Sequence, residues 1–496
     1  MNQAYAELES KIAEIKALDH MMDLSNWDES TNMKPASAPN RAEMVATTAA
    51  LRQRLIADEG FGELLERAAE GELSDMEAAN VRVAERTRKQ SIAVPEDLLK
   101  ESKRVQSECH TVWARNRPLN DWVNTLPSLE AVIRVSIEMS QCLAEAFQLA
   151  PYDALMNQYE TGNLQSDIDS VFDEIKTFLL REVPNVESDQ ISPLPFSESF
   201  SDTDQLKLAE FSMRELMFDF DRGRLDQSAH PFSCGTANDA RLTTRLSAND
   251  FTHSLFAVFH ETGHARYTQN QPNQWVMQFV GEPTGMAVHE SQSLFMEMQI
   301  CRSDAFLEYI HPMIRLLLRR NGSDASWSLE NFKRTVRHVK RDLIRVYSDE
   351  MTYPFHIFLR YAIEKQLCNG DLQVKDLPDA WNDGMMELMG IDTRDDFTNG
   401  CMQDIHWYEG LFGYFPCYLL GAIFAAQLYQ ACVRKIGDQT ENVRQGDFSA
   451  ISAWLAENIH SKGSLLEGQT LIRTVTGEEL SATSYLSHLN RRYVNS

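Results

Sequence analysis

The sequence predicts a mainly α-helical protein, built as a single large domain over residues 1–496 with one small β ribbon. Helical periodicity dominates the chain, Pro and Gly mostly fall between the periodic runs, and strand patterns are few. The first helical run is YAELESKIAEIKAL from Tyr5, followed by MEAANVRVAERTRKQ from Met76 and PSLEAVIRVSIEMSQCLAEAF from Pro127. DSVFDEIKTFLLREV, TRLSANDFTHSLFAVFHETGHARYTQN and the long SLENFKRTVRHVKRDLIRVYSDEMTYPFHIFLRYAIEKQL continue the pattern. The ribbon is expected at ARLTTRLS (Ala240–Ser247), which is β-branched, alternating and preceded by the turn-rich CGTAND. No internal repeat, low-complexity segment or Gly/Ser linker divides the chain.

The composition of the 496 residues, 43% hydrophobic and 24% charged, suits a large buried core. A formal net charge of -26 argues against binding nucleic acid or an anionic membrane. The eight cysteines form no C-x-x-C pair, so neither a zinc ribbon nor a redox pair is expected. The N-terminus lacks the basic start and apolar block of a signal peptide. Its apolar runs fall short of the roughly 20 residues of a membrane span; the nearest is Tyr418–Ala426. A cytoplasmic protein with reduced thiols is the expectation.

The chemistry concentrates at His260-Glu261-Thr262-Gly263-His264, inside the helical run SLFAVFHETGHARY. Residues four apart on a helix lie nearly above one another, so His260 and His264 can aim at one cation about 2 Å away. Glu261 is rotated by roughly 100° from His260, outside the ligand set and where a general base is needed. Phe256, Val258, Phe259 and Ala265 make the flanks apolar, as a helix crossing a core requires. A third ligand is expected from a later helix, and Glu290 is the candidate. It shares a face with Met286, Ser293, Leu294 and Glu297, and Thr284 can cap the start of that helix. A carboxylate on so apolar a face is costly unless paired or bound to metal. Two imidazoles, one carboxylate and an open position make a catalytic zinc site rather than a structural one; an Arg-paired structural Glu290 is the plainer alternative.

Around this motif lie His230-Pro231-Phe232, Asp239-Ala240-Arg241-Leu242-Thr243 and His289-Glu290-Ser291-Gln292. Further on come Ile344-Arg345-Val346-Tyr347-Ser348-Asp349 and Gly400-Cys401-Met402-Gln403-Asp404-Ile405-His406-Trp407. In this order they resemble the carboxypeptidase Taq family of HExxH metallocarboxypeptidases over nearly the whole chain. Flanking PYDALMNQYETG, TYPFHIFLRYAIE and GLFGYFPCYLLG look alike too. The resemblance implies a helical fold with a deep active-site groove, metal ligands His260, His264 and Glu290, zinc or cobalt as the metal, and a homodimer. It also implies broad removal of single C-terminal residues from peptides. Two positions depart from the family pattern: Ser348 stands where alanine is usual, and Asn32-Met33-Lys34-Pro35 interrupts a usual Met-Pro pair.

A C-terminal exopeptidase has to recognise a free carboxylate, which an Arg does with paired, charge-assisted hydrogen bonds. Arg345 is the first choice, with Arg360 and Arg241 as alternatives. The plainer reading puts Arg345 on a solvated cationic face with Arg337, Lys340 and Arg341. His406 and Tyr414 are candidates to stabilise the developing oxyanion. Asp239 and Asp404 are candidates to orient the metal histidines, with an N-cap or an Arg partner the equally open reading of each. Trp407 is expected to pack, and Cys234 and Cys401 to be inert. An oligopeptidase or dipeptidyl carboxypeptidase with the same metal site is the nearest rival function. A non-catalytic helical scaffold is the rival from another class.

Overall fold

The computed structural model describes residues 3–196, 199–320 and 323–495, and these are mainly helical. Their contacts group into two compact units, each assembled from separated segments. The first comprises Met1–Ser91, Ile191–Arg337 and Phe424–Glu479; the second comprises Ile92–Gln190, His338–Ile423 and Leu480–Ser496. Neither unit is a contiguous stretch, so no linker marks a boundary between them.

The first unit begins with helices Gln3–Thr31, Ala38–Ala57, Glu59–Ala69 and Asp75–Ala93. Tyr5, Leu8, Ile12 and Ile15, spaced at three and four, form a core stripe with Leu64, Leu65, Ala68 and Phe279. Behind the site lies a three-stranded sheet of β1 (Gly223–Gln227), β2 (Ser233–Thr236) and β3 (Asp239–Thr244), in the order β1-β3-β2. β3 pairs parallel to β1 and antiparallel to β2, with Leu225 opposite Leu242 and Cys234 opposite Arg241. The expected strand is therefore present, beginning one residue early, but β1 and β2 lack the alternation that announces a strand. Period-two geometry turns Ala240 and Leu242 to one face, where they pack with Val258 and Ala265 of the helix Phe251–Gln269. The sheet thus stands beside the helix that carries the HETGH motif.

That helix starts at Asp250, whose carboxylate accepts from the Thr252 N–H at 2.7 Å. It is buried on nearly every side, so its sequence shows apolar content rather than a clean stripe. The helix Met286–Leu294 packs across it and runs directly into a π-helical turn, Phe295–Cys301. Thr284 does not cap this helix. Gly285 occupies the cap position, and the Thr284 hydroxyl donates instead to the carbonyl of Leu466. The two helices approach closely at Gly263. A Cβ there would lie 2.5 Å from the Gln292 carbonyl oxygen and 2.6 Å from Ser293 Cα.

The second unit is built on helices Glu96–Asn116, Trp122–Phe147, Gln165–Asp189, Tyr353–Asn369 and Leu377–Met389. Here the long helical pattern from Ser328 to Leu367 is interrupted. One helix covers Leu329–Arg337, the next begins at Tyr353, and a short 3-10 turn at Arg345–Tyr347 lies between them. Asp349 explains the break. Its carboxylate accepts the N–H groups of Lys340, Met351 and Thr352 and the Thr352 hydroxyl, satisfying the backbone without a helix. The helix Pro416–Ile436 is the one described helix long and apolar enough to cross a membrane, and most of it is buried within the protein.

Because backbone rather than a flexible side chain faces Gly263, Gly263→Ala should push the two helices apart. A loss of about 1–3 kcal/mol is expected, as for overpacked cores. Urea unfolding of the wild type and the variant measures it.

Candidate metal centre

Helical spacing stacks His260 and His264 on one side of the helix Phe251–Gln269, with ring centroids 5.0 Å apart. Glu290 comes from the crossing helix. Its Oε2 lies 3.3 Å from His264 Nε2 and 3.8 Å from His260 Nε2. Among the described residues these three are the one group whose ligand atoms gather as a metal site, all within 4.8 Å of one another. The plainer reading of Glu290, a carboxylate paired with an Arg, is not what the structure shows: its ion-pair partners are the two imidazoles.

The electrostatics fit a cation. Glu261, Glu290 and Glu297 surround two imidazoles, and Arg302 pairs with Glu297 at 2.8 Å. Burial by itself would strip His260 of a proton, but Glu290, Glu297 and Glu261 outweigh it and push the pKa up to about 10. Glu290 is held below its ordinary range, because His260 and His264 overcome the effect of burial. Glu261 is raised, chiefly by burial, with Glu290 adding to it. Ser233 at the start of β2 opposes that rise, and the buried Glu261 Oε2 has no hydrogen-bond partner. A buried, carboxylate-rich set of nitrogen and oxygen donors with an unsatisfied oxygen beside it suits a divalent metal and a water.

The two imidazoles are backed differently. His260 Nδ1 lies 3.0 Å from Glu297 Oε2. His264 instead stacks on His289, centroids 4.3 Å apart and planes inclined by 22°. Tyr267 follows at 5.7 Å from His289, then His460, whose ring nitrogens meet Gln292 and Asn270 at 3.0 Å each. Asp239 and Asp404 take the alternative reading, an Arg partner, rather than a metal histidine. Asp239 pairs with Arg241 at 2.8 Å, and Asp404 serves two arginines; the carboxylate on a metal histidine is Glu297. Glu297 lies seven residues past Glu290 on the same face, a signal present in the sequence. Ser233 had no such signal, because strand pairing places it.

The second unit holds the other expected residues. Arg345 is buried, not on a solvated cationic face. Its Nε and Nη2 donate to the two oxygens of Asp404 at 2.9 and 3.2 Å, and its guanidinium lies 4.7 Å from the Tyr418 ring centroid. Arg360 is 1% exposed, with Nη2 on Asp404 at 2.6 Å and Nη1 on the His356 carbonyl at 3.0 Å. One carboxylate shared by two guanidiniums leaves a buried positive excess. The arginines hold Asp404 well below the usual carboxylate range despite burial. His406 Nε2 lies 3.0 Å from the Tyr418 hydroxyl, and the ring of Tyr414 is 5.7 Å from that of His406. Burial, reinforced by Arg345 and Arg360 and opposed by Asp404, lowers His406 to about 3, so the ring is neutral at neutral pH. Trp407 packs as expected, its indole N–H donating to Glu364 at 2.7 Å. Burial pushes the Cys234 thiol up to about 12 and that of Cys401 higher still, as inert thiols require.

Two histidines one turn apart, a glutamate from the crossing helix and a second glutamate beside them define a metallopeptidase centre of the HExxH kind. The sequence profile of the Carboxypeptidase Taq (M32) metallopeptidases matches residues 7–493. Thermostable carboxypeptidase 1 of Thermus thermophilus is 33% identical, over 99% of this chain and 98% of that protein. Carboxypeptidase 1 of Bacillus subtilis is 32% identical over 97% of each. Among solved structures, Trypanosoma cruzi metallocarboxypeptidase 1 superposes with a TM-score of 0.96 at 35% identity, covering 99% of this chain and 100% of that one. The M32 carboxypeptidase of Deinococcus radiodurans gives 0.94 at 29% identity over 99% of both chains. The chain belongs to the carboxypeptidase Taq (M32) family and is a metallocarboxypeptidase.

Asp404→Ala leaves two buried guanidiniums facing each other. Denaturant unfolding at neutral pH should show a loss of about 3–5 kcal/mol. Because the carboxyl pKa is lower in the folded chain than in the unfolded one, the wild-type contribution is complete above about pH 4. It is lost as pH falls toward the folded value, so the gap between wild type and variant should shrink only in acid.

Proposed function

We propose that this metallocarboxypeptidase removes single residues from the free C-terminus of peptides with broad side-chain tolerance, using zinc held by His260, His264 and Glu290, with cobalt as a substitute. The observation that carries the reading is the convergence of these three donors beside Glu261. Imidazole and carboxylate donors suit zinc and cobalt alike. When bound, such a cation supplies Lewis acidity toward water and the scissile carbonyl.

The protein's own groups do the rest. Glu261, made more basic by burial, takes the proton from the attacking water and delivers it to the leaving amine. Its buried Oε2 has no hydrogen-bond partner and is free for that transfer. Arg345 receives the terminal carboxylate of the peptide, favoured by the positive excess it shares with Arg360 over Asp404. Arg360, at 1% exposure, acts through Asp404 rather than by reaching the peptide. Neutral His406 can donate one ring N–H to developing negative charge without adding a formal charge, and Tyr414 beside it can donate its hydroxyl.

We propose also that the protein works as a homodimer in the cytoplasm, on peptides and not on nucleic acid or membranes. The family resemblance supports the dimer; eight free cysteines and an acidic chain support the rest. A sedimentation mass of one chain would refute the dimer.

Mass spectrometry of peptide products tests the central reading. The zinc-loaded enzyme should release single residues from a free-acid peptide and leave its C-terminal amide intact; release of dipeptides or internal cleavage would sink it. Glu261→Gln should lower kcat about 10²–10⁴-fold, the usual worth of a general base, while zinc content stays at the wild-type level. Arg345→Ala should lower kcat/KM for free-acid peptides, and an unchanged value would remove Arg345 from the role.

A further inference from the structure

Helix packing alone does not explain why the chain departs from α-helical geometry directly after Leu294, one turn past Glu290. Over Phe295–Cys301 it is π-helical. The turn closes with the Arg302 N–H donating to the Glu297 carbonyl oxygen at 3.1 Å, a bond between residues five apart. In a continuous α-helix the residue lying over Glu297 would be four later, at Cys301, which is instead fully buried in the core. The wider turn substitutes Arg302, whose Nη2 donates to Glu297 Oε1 at 2.8 Å. Arg302 is fixed in turn by the Val336 carbonyl, at 2.6 Å from Nη1, and its guanidinium lies 4.5 Å from the ring centroid of Phe256. Phe256 sits one turn before His260 on the same helix. With one oxygen held by Arg302, Glu297 has the other left for His260 Nδ1, at 3.0 Å. An ionised carboxylate only accepts hydrogen bonds, so Nδ1 carries a hydrogen toward Glu297, and Nε2, on the side where Glu290 lies, is the nitrogen that would give up its proton to a metal.

We propose that Glu297 is a positioning residue of the metal centre: it fixes the tautomer and aim of His260, and the π-helical turn exists to set Arg302 behind it. This rests on the reading of His260, His264 and Glu290 as the metal ligands and adds the group that makes one of them ready in advance. The two imidazoles are then aimed by unlike devices, a charged hydrogen bond for His260 and a ring stack on His289 for His264.

Zinc affinity tests it independently of turnover. The full chain, stripped of metal, is titrated with zinc against a chromophoric chelator as wild type, Glu297→Ala, Glu297→Gln and His264→Ala. Glu297→Ala should bind zinc about 10–100-fold more weakly, the usual cost of losing such a partner. Glu297→Gln should recover most of that loss, because its amide oxygen still accepts from Nδ1. Wild-type zinc affinity in Glu297→Ala overturns the proposal, and so does Glu297→Gln binding as weakly as Glu297→Ala. If Glu297→Ala does not fold, Arg302→Ala replaces it. A several-fold weakening is then expected, and unchanged affinity overturns the proposal. A wild-type chain that takes up no zinc, or His264→Ala binding as tightly as wild type, refutes the metal centre itself and this inference with it.

Discussion

The structure of the first unit is organised by a helix crossing close enough to make one site from two segments. Gly263 lies between the two metal histidines, and no side chain larger than hydrogen fits there against the backbone of Gln292 and Ser293. That contact brings the Glu290 carboxylate on one helix to the imidazoles of His260 and His264 on the other. The same crossing buries three carboxylates in one place. Their mutual repulsion and the loss of their hydration weigh against the fold unless positive charge is gathered there. His260, Arg302 and a divalent cation are the available sources, so the site's affinity for metal and its demand for charge balance are one property.

The second unit solves the opposite problem. Arg345 and Arg360 bring two positive charges to one carboxylate, and Asp404 stays ionised because of them. A buried cluster with a positive excess favours an anionic ligand for the reason that one with a negative excess favours a cation. In both, the charged atoms are tied to neighbours by short hydrogen bonds, so the geometry is set before a ligand arrives. His406 illustrates the cost of such surroundings: buried, and with two guanidiniums near it, the imidazole stays neutral far into acid.

Much of this was legible in the linear chain because it depends on local spacing. Residues four apart on a helix must face the same way, so His260 and His264 could be paired without coordinates. Glu290 could be picked because a carboxylate on an apolar face needs a reason to be there. The helices likewise follow from periodicity, except between Ser328 and Leu367. There Asp349 takes up three backbone N–H groups, an interaction that leaves no periodic trace. β1 and β2 were missed because they are short and held by their pairing with β3 rather than by their own residues.

What the chain by itself determined is the helical class and the shared face of His260 and His264, since each rests on residue type and on spacing within one element. What only tertiary structure decided is which groups stand behind those residues. Asp239 and Asp404 could each have faced a histidine or an arginine, and Glu297 came to stand behind His260 through the π-helical turn and the placement of Arg302. Hydrogen bonds between elements depend on distances that no one-dimensional pattern records. The roles of single side chains therefore separate from the roles of motifs at that level.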